Sequence, residues 1–261
     1  MKHIHIVGSS PRSGTTLLFE LMRSSFSIDC YPKHEARIGK RPPGNCEILL
    51  TKSPKDTVVM DTILKYVPNI YVIFVLRDPR DSAVSKHKNK PGCYYGSLRY
   101  WFNYIPYYLR FQGHPRVLTV KYENLVAQPD KTQERIGRTF PFLKKTNRFS
   151  HYTRNARPSA DAKKALGGVR KINTSSIGNW RKHKSKLKRD LAKFGPIADD
   201  LIRFGYEDSK EWRKELADAK NQSIQQHVSP FSTKAFVKKK RRTQILRVPK
   251  VWFYHSRFFQ R

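Results

Sequence analysis

The sequence predicts a parallel, doubly wound α/β domain of the P-loop-like kind, and three features predict it. Apolar runs at residues 3–8, 47–51, 70–76 and 117–122 are separated by helix-patterned segments, the alternation that builds βαβ units. The run Ile70-Tyr71-Val72-Ile73-Phe74-Val75-Leu76 is almost wholly apolar, as expected of a strand covered on both faces. Polar clusters follow the runs directly, and in such sheets ligands bind beyond the carboxyl ends of the strands, where strand order reverses. At 261 residues the chain accommodates one domain of this kind with an extension.

The first run, His3-Ile4-His5-Ile6-Val7-Gly8, passes through Ser9-Ser10-Pro11-Arg12-Ser13-Gly14-Thr15-Thr16 into the helical pattern Leu17-Leu18-Phe19-Glu20-Leu21-Met22. A strand, a small-residue turn and a helix start form an anion cradle, because free N–H groups and the helix dipole point at one place. The nucleotide-hydrolase pattern G-x-x-x-x-G-K-[ST] has Lys after its second Gly. Here Thr15 takes that place and the cation, Arg12, precedes Gly14.

The second run ends in Lys52-Ser53-Pro54, and a helix is expected from Asp56 to Tyr66, stopped by Pro68-Asn69. The third ends at Arg77-Asp78-Pro79-Arg80-Asp81, with the first helical turns expected over residues 82–86. An aromatic helix follows over about residues 94–111, and the fourth run leads into Tyr122-Glu123-Asn124-Leu125. No internal repeat is present. Residues 1–215 are expected to form the domain and 216–261 a basic extension.

A formal net charge of +33 calls for an acidic partner: nucleic acid, anionic membrane, polyanionic glycan or a multiply charged cofactor. Asp218 is the last acidic residue, and beyond it lie Lys238-Lys239-Lys240-Arg241-Arg242 and the aromatic, cationic stretch at residues 251–259. That mixture suits a membrane interface, stacking on a polymer, or packing back on the domain. Cys30, Cys46 and Cys93 cannot all pair and match no zinc or redox spacing, which suits a reducing compartment. No run approaches a membrane span, so the expected location is the cytoplasm, with anionic-membrane contact through the tail as a further expectation.

Arg12-Ser13-Gly14-Thr15-Thr16, Lys52, Arg77 with Ser85, and Tyr122 all follow strands, which places them on one rim. A guanidinium grips a phosphate in a bidentate manner and a nearby hydroxyl adds another bond, a role that fits Arg77 with Ser85.

Pro11-Arg12-Ser13-Gly14-Thr15-Thr16, followed by Leu76-Arg77-Asp78-Pro79-Arg80-Asp81 and Ser85, resembles the paired phosphate-binding signature of sulfotransferases that use 3′-phosphoadenosine 5′-phosphosulfate (PAPS). Ser175-Ser176-Ile177-Gly178-Asn179-Trp180 is similar to the segment that closes over the nucleotide in that superfamily. The resemblance covers roughly residues 4–185. It implies that the first loop holds the 5′-phosphosulfate side, that Arg77 and Ser85 hold the 3′-phosphate, and that Tyr122 lies near adenine. Ser175, Ser176 and Trp180 join the cofactor set by the same comparison. Cytosolic small-molecule members carry Lys at the place of Arg12, Trp at that of Leu17, and Arg-Lys-Gly where this chain has Asn173-Thr174-Ser175. Arg12 and Leu17 instead look like the carbohydrate and protein-tyrosine branches, and Arg170 or Lys171 is a candidate for the missing cation.

Sulfuryl transfer resembles phosphoryl transfer, so positioning and fixed cations carry most of the catalysis. By resemblance to the tyrosine-sulfating branch, Lys52 and Arg12 are the catalytic cations and Glu35, in Glu35-Ala36-Arg37, is the base. His34 is the reserve candidate, since imidazole titrates near neutrality. His3, His5, His87 and His183 show no ligand spacing and are expected to be structural or exposed. The expected acceptor is a hydroxyl on a carbohydrate or glycolipid, and no metal is called for. A small-molecule kinase and a basic polyanion- or nucleic-acid-binding protein are the alternatives; nucleic acid is not expected as the main partner.

Overall fold

The computed structural model describes residues 1–33, 35–41, 46–87, 90–169, 171–220, 224–227 and 233–256. His34 and Arg170 lie outside the described residues, as does the end of the aromatic tail. Strand β1 (Lys2–Gly8) leads through the cradle loop into α1 (Thr15–Ser25). Strand β2 (Ile48–Lys52) is followed by a 3₁₀ segment, Pro54–Val59, and α2 (Met60–Tyr66). Strand β3 (Ile70–Leu76) runs into α3 (Pro79–Ala83), then α4 (Leu98–Tyr108), strand β4 (Val117–Lys121), α5 (Tyr122–Ala127) and α6 (Pro129–Thr139). Then come α7 (Tyr152–Asn155), α8 (Ala160–Leu166), α9 (Lys184–Phe194), α10 (Ala198–Arg203), α11 (Lys234–Ile245) and α12 (Val248–His255).

The strands form a parallel sheet in the order β2-β1-β3-β4, the doubly wound arrangement the apolar runs predict. Alternate side chains divide its two faces. Ile4, Ile6, Ile73, Val75, Leu118 and Val120 pack with α1, α5 and α6, whereas Val7, Val72, Phe74 and Leu76 pack with α2, α4 and α9. The chain leaves β1 outward to β2, then crosses to β3 on the other side. Strand order therefore reverses at the carboxyl end of β1, where the cradle loop sits.

Three local expectations are revised. The helix expected from Asp56 opens instead as the 3₁₀ segment, with Pro54 in its first turn. The helix after β3 begins earlier than residue 82: Asp78 accepts a hydrogen bond from Arg80 N, Pro79 fits the first helical position, and Ser85 lies beyond the helix end. Cys30 and Cys46 form a disulfide, leaving Cys93 as the free, buried thiol. The expectation of reduced cysteines is corrected for that pair, which fastens both ends of the segment bearing Glu35.

The C-terminal helices pack on the sheet's β1–β2 side through charges that the sequence scatters widely. Lys240 Nζ lies 2.7 Å from Asp56 Oδ1, and Arg241 makes paired contacts of 2.7 and 2.8 Å with the Asp61 carboxylate. His255 stacks on His3, with Nε2 2.9 Å from His3 Nδ1. Thr51 Oγ1 lies 2.6 Å from both His3 Nε2 and His5 Nδ1, and His5 Nε2 is 3.3 Å from Asp56. Among the described residues no helix is long and apolar enough to cross a membrane.

Candidate active site

The cradle depends on close backbone approach. Gly14 adopts φ +100°, and a Cβ there would stand 2.4 Å from the Tyr122 ring. A Gly14→Ala variant is expected to lose about 1 kcal/mol from left-handed backbone strain alone, with the ring clash added. Thermal unfolding should show the loss, and adding Tyr122→Ala should return only the clash part. Gly8, at the end of β1, is held by Thr57, whose hydroxyl accepts from Gly8 N and lies 3.0 Å from Gly8 O.

Beyond the loop opens a cavity of about 520 Å³ bordered by Arg12, Gly14, Thr15, Thr16, Arg77 and Ser85 on the sheet side and by Ser175, Ser176 and Asn179 opposite. Arg77 leaves β3 and spreads over the Tyr122 ring, 4.3 Å from its centroid. Its terminal nitrogens donate to Arg12 O (2.9 Å) and Ser176 O (3.1 Å), while its Nε is buried without a hydrogen-bond partner. Arg12 Nε donates to Ser85 Oγ at 2.8 Å, so Ser85 meets Arg12 as well as facing the cavity that Arg77 borders. Burial, reinforced by Arg77, lowers the Arg12 pKa: two desolvated cations share one place.

The segment opposite is locked by a carboxylate. Asp81, on α3, accepts from Gly178 N (2.8 Å) and Trp180 N (2.9 Å), and Tyr122 Oη lies 2.8 Å from Ser176 Oγ. Burial raises the Asp81 pKa, with Asp78 adding to the effect. Ser175 and Ser176 thereby reach the cavity, but Trp180 is buried beneath the Arg80 guanidinium and against Trp212. Its side chain anchors the segment and does not border the cavity. Ser13 likewise turns inward, bonding Ser10 O at 2.8 Å.

A second cavity, about 370 Å³, shares Pro11, Arg12 and Thr16 with the first and is otherwise bordered by Glu20, Lys33, Glu35, Lys52 and Lys55, among others. Ala36 N donates to Lys52 O (3.1 Å), which ties the Glu35 segment alongside the end of β2, and Ser53 Oγ donates to Glu35 Oε1 at 3.4 Å. Ile38 N donates to Asp56 Oδ2 at 2.8 Å and fastens the other side of that segment. Burial lowers the Lys52 pKa against the opposing pull of Glu35 and Glu20. Glu20 is the converse case: burial raises its pKa while Arg23 and Lys52 oppose the shift. Arg23 Nε lies 3.1 Å from Glu20 Oε2, near enough for ion pairing but not aligned for a hydrogen bond.

Residues 35–140, which run from this carboxylate through Lys52 and Arg77 to Tyr122, match the model of the Sulfotransferase family. No curated protein matches the chain. Two solved structures resemble the chain in outline. A sulfotransferase domain from the curacin biosynthetic pathway shares 16% identity with a TM-score of 0.49, covering 74% of this chain and 97% of its own. One from the Synechococcus PCC 7002 olefin synthase shares 17% with a TM-score of 0.43, covering 74% and 94%.

The structure thus brings Arg12, Gly14, Thr15, Thr16, Arg77, Ser85, Tyr122, Ser175 and Ser176 to one cavity and Glu35, Lys52 and Arg12 to the other. Sequence reasoning missed Glu20, Lys33, Lys55 and Asp81. It also set His183 aside, although the first cavity includes it, with Nδ1 2.9 Å from Tyr94 Oη. Burial lowers the His183 pKa. His3 and His5 are structural, as expected.

Proposed function

We propose that the chain is a sulfotransferase that moves a sulfuryl group from PAPS to a hydroxyl of a carbohydrate or glycolipid, with residues 1–215 as its catalytic domain. The observation that carries this reading is Arg12, which borders both cavities and so stands where a donor and an acceptor meet. The donor set fits the nucleotide. Arg77 has an orphan buried Nε, the Tyr122 ring can lie this close to the cradle loop only because Gly14 lacks a Cβ, and Asp81, a carboxylate at that cavity, is already occupied by backbone N–H groups.

PAPS, when bound, supplies the sulfuryl group and a phosphate leaving group. The chain's own residues divide the remaining work. Gly14, Thr15 and Thr16 present loop and helix-start donors to the 5′ side, while Arg77, Ser85, Tyr122, Ser175 and Ser176 hold the 3′-phosphate and base side. Glu35 takes the proton of the acceptor hydroxyl. Lys52 and Arg12 stabilise charge as the acceptor oxygen–sulfur bond forms and the sulfur–phosphate oxygen bond breaks, and their desolvation strengthens that effect.

Calorimetry with 3′-phosphoadenosine 5′-phosphate tests the nucleotide assignment. Removing a charge-assisted grip costs about 1.5–3 kcal/mol, so Arg77→Ala should weaken binding about 10–100-fold. Wild-type protein that does not bind this nucleotide, or Arg77→Ala that binds it undiminished, would remove the proposal.

A further inference from the structure

The outer face of α11 and α12 differs from the rest of the described surface. Among the described residues, Ile245, Leu246, Trp252 and Phe253 are 37, 81, 44 and 49% exposed within nine residues, the densest run of exposed large apolar side chains in the chain. Exposed Lys238, Arg242, Arg247 and Lys250 are interleaved with them, and no acidic residue follows Asp218. The opposite face is fixed to the domain by Lys240, Arg241 and His255. An exposed apolar cluster rimmed by cations and held rigidly is a docking surface.

We infer that the α11–α12 segment lies on an anionic lipid bilayer, with Leu246, Trp252 and Phe253 entering the headgroup–acyl boundary and the flanking cations meeting lipid phosphates. Charge complementarity selects an anionic surface. Exposed aliphatic side chains beside the aromatic ones select a bilayer over a nucleic acid, because bases stack on rings, whereas Ile245 and Leu246 gain by leaving water. Neither helix can span a bilayer, so the segment lies along its surface. This orientation has a consequence for the second cavity. A Cβ on Gly39, in the segment that carries Glu35, would lie 3.5 Å from Gln244 Oε1 and 3.8 Å from Val251 Cγ2, so that segment sits against α11 and α12. The inference concerns the surface alone and stands apart from the reaction.

Trp252 provides the reporter, since Trp101, Trp180 and Trp212 are all buried. The full chain is mixed with vesicles of phosphatidylcholine containing phosphatidylserine, or of phosphatidylcholine alone, with sedimentation and tryptophan emission read together. Binding to the anionic vesicles with a blue-shifted emission is expected, and a Leu246→Ser/Trp252→Ser variant with unchanged thermal stability should bind at least about tenfold more weakly. Three results overturn the inference: no vesicle binding; binding without an emission shift and indifferent to the double variant, which is attraction by general charge; or full displacement by single-stranded nucleic acid that itself shifts Trp252 emission.

Discussion

A Glu35→Gln protein is expected to lose about 10²–10⁴-fold in kcat, the contribution a positioned general base makes, while binding 3′-phosphoadenosine 5′-phosphate as tightly as the wild type. The division follows from the two cavities. Among the described residues, Glu35 borders the second cavity with Lys52 and Lys55 and does not border the first, where Arg77 and Ser85 stand. Gln keeps the size of the side chain and the contact with Ser53 Oγ but cannot accept a proton. Turnover is measured as labelled sulfate transferred to a glycan and glycolipid panel, and nucleotide affinity by calorimetry. Equal loss of both would show that Glu35 organises the nucleotide site. Unchanged turnover would pass the role to another carboxylate, and Glu20→Gln is the companion variant, because burial already holds its carboxyl above the usual range in the same cavity. The kinase alternative predicts a different dependence, namely nucleotide binding that requires Mg²⁺.

The sheet was legible because strands covered on both faces must be continuously apolar, and residues 70–76 could be little else. The rim was legible because loops following parallel strands share one end of the sheet, which brings Arg12, Lys52 and Arg77 together from three separate segments. Other features left no local trace. Glu20 occupies a position on the buried face of α1, where an apolar residue is the ordinary occupant, and only its neighbours Arg23 and Lys52 explain it. Trp180 sits in the segment opposite the cradle loop, yet its ring packs away from the first cavity, because a motif fixes backbone position but not the direction of each side chain. The Cys30–Cys46 bond joins neighbours across the flank of β2, where Cys30 pairs with Leu49, a proximity that spacing alone cannot reveal. The basic tail was misleading in a more general way. Counting charge treats Lys238 and Lys240 alike, but one is exposed and the other is buried against Asp56.

Lys240→Met is expected to cost about 3–5 kcal/mol, the penalty for leaving one partner of a buried ion pair alone, and to lower Tm by about 10 °C in a chain of this size. Asp56 is fully buried, and without Lys240 it retains only His5 and the Ile38 N–H. A Lys240→Met/Asp56→Asn double variant should recover most of the loss, since a neutral pair carries no stranded charge; failure to recover would mean that Lys240 acts through its packing. The pH dependence separates this pair from the histidines beside it. Despite the opposing effect of burial, Lys240 and His5 hold the Asp56 carboxyl far below the usual carboxylate range, so its contribution is complete above the unfolded value near 3.8 and is lost only as pH falls through the depressed folded value. Burial lowers the pKa values of His3 and His255 from 6.5, so their contribution is complete above that pH and declines below it, as the unfolded chain takes up protons that the folded one resists. Wild-type stability should therefore begin to fall in mild acid, and the gap to Lys240→Met should narrow there, because burial without Lys240 raises the Asp56 carboxyl and its protonation relieves the stranded charge. His255→Phe keeps a ring stacked on His3 but removes one titrating group, and should flatten part of the mild-acid decline. A gap that stayed constant through mild acid would mean that Lys240 acts through its packing and not through its charge.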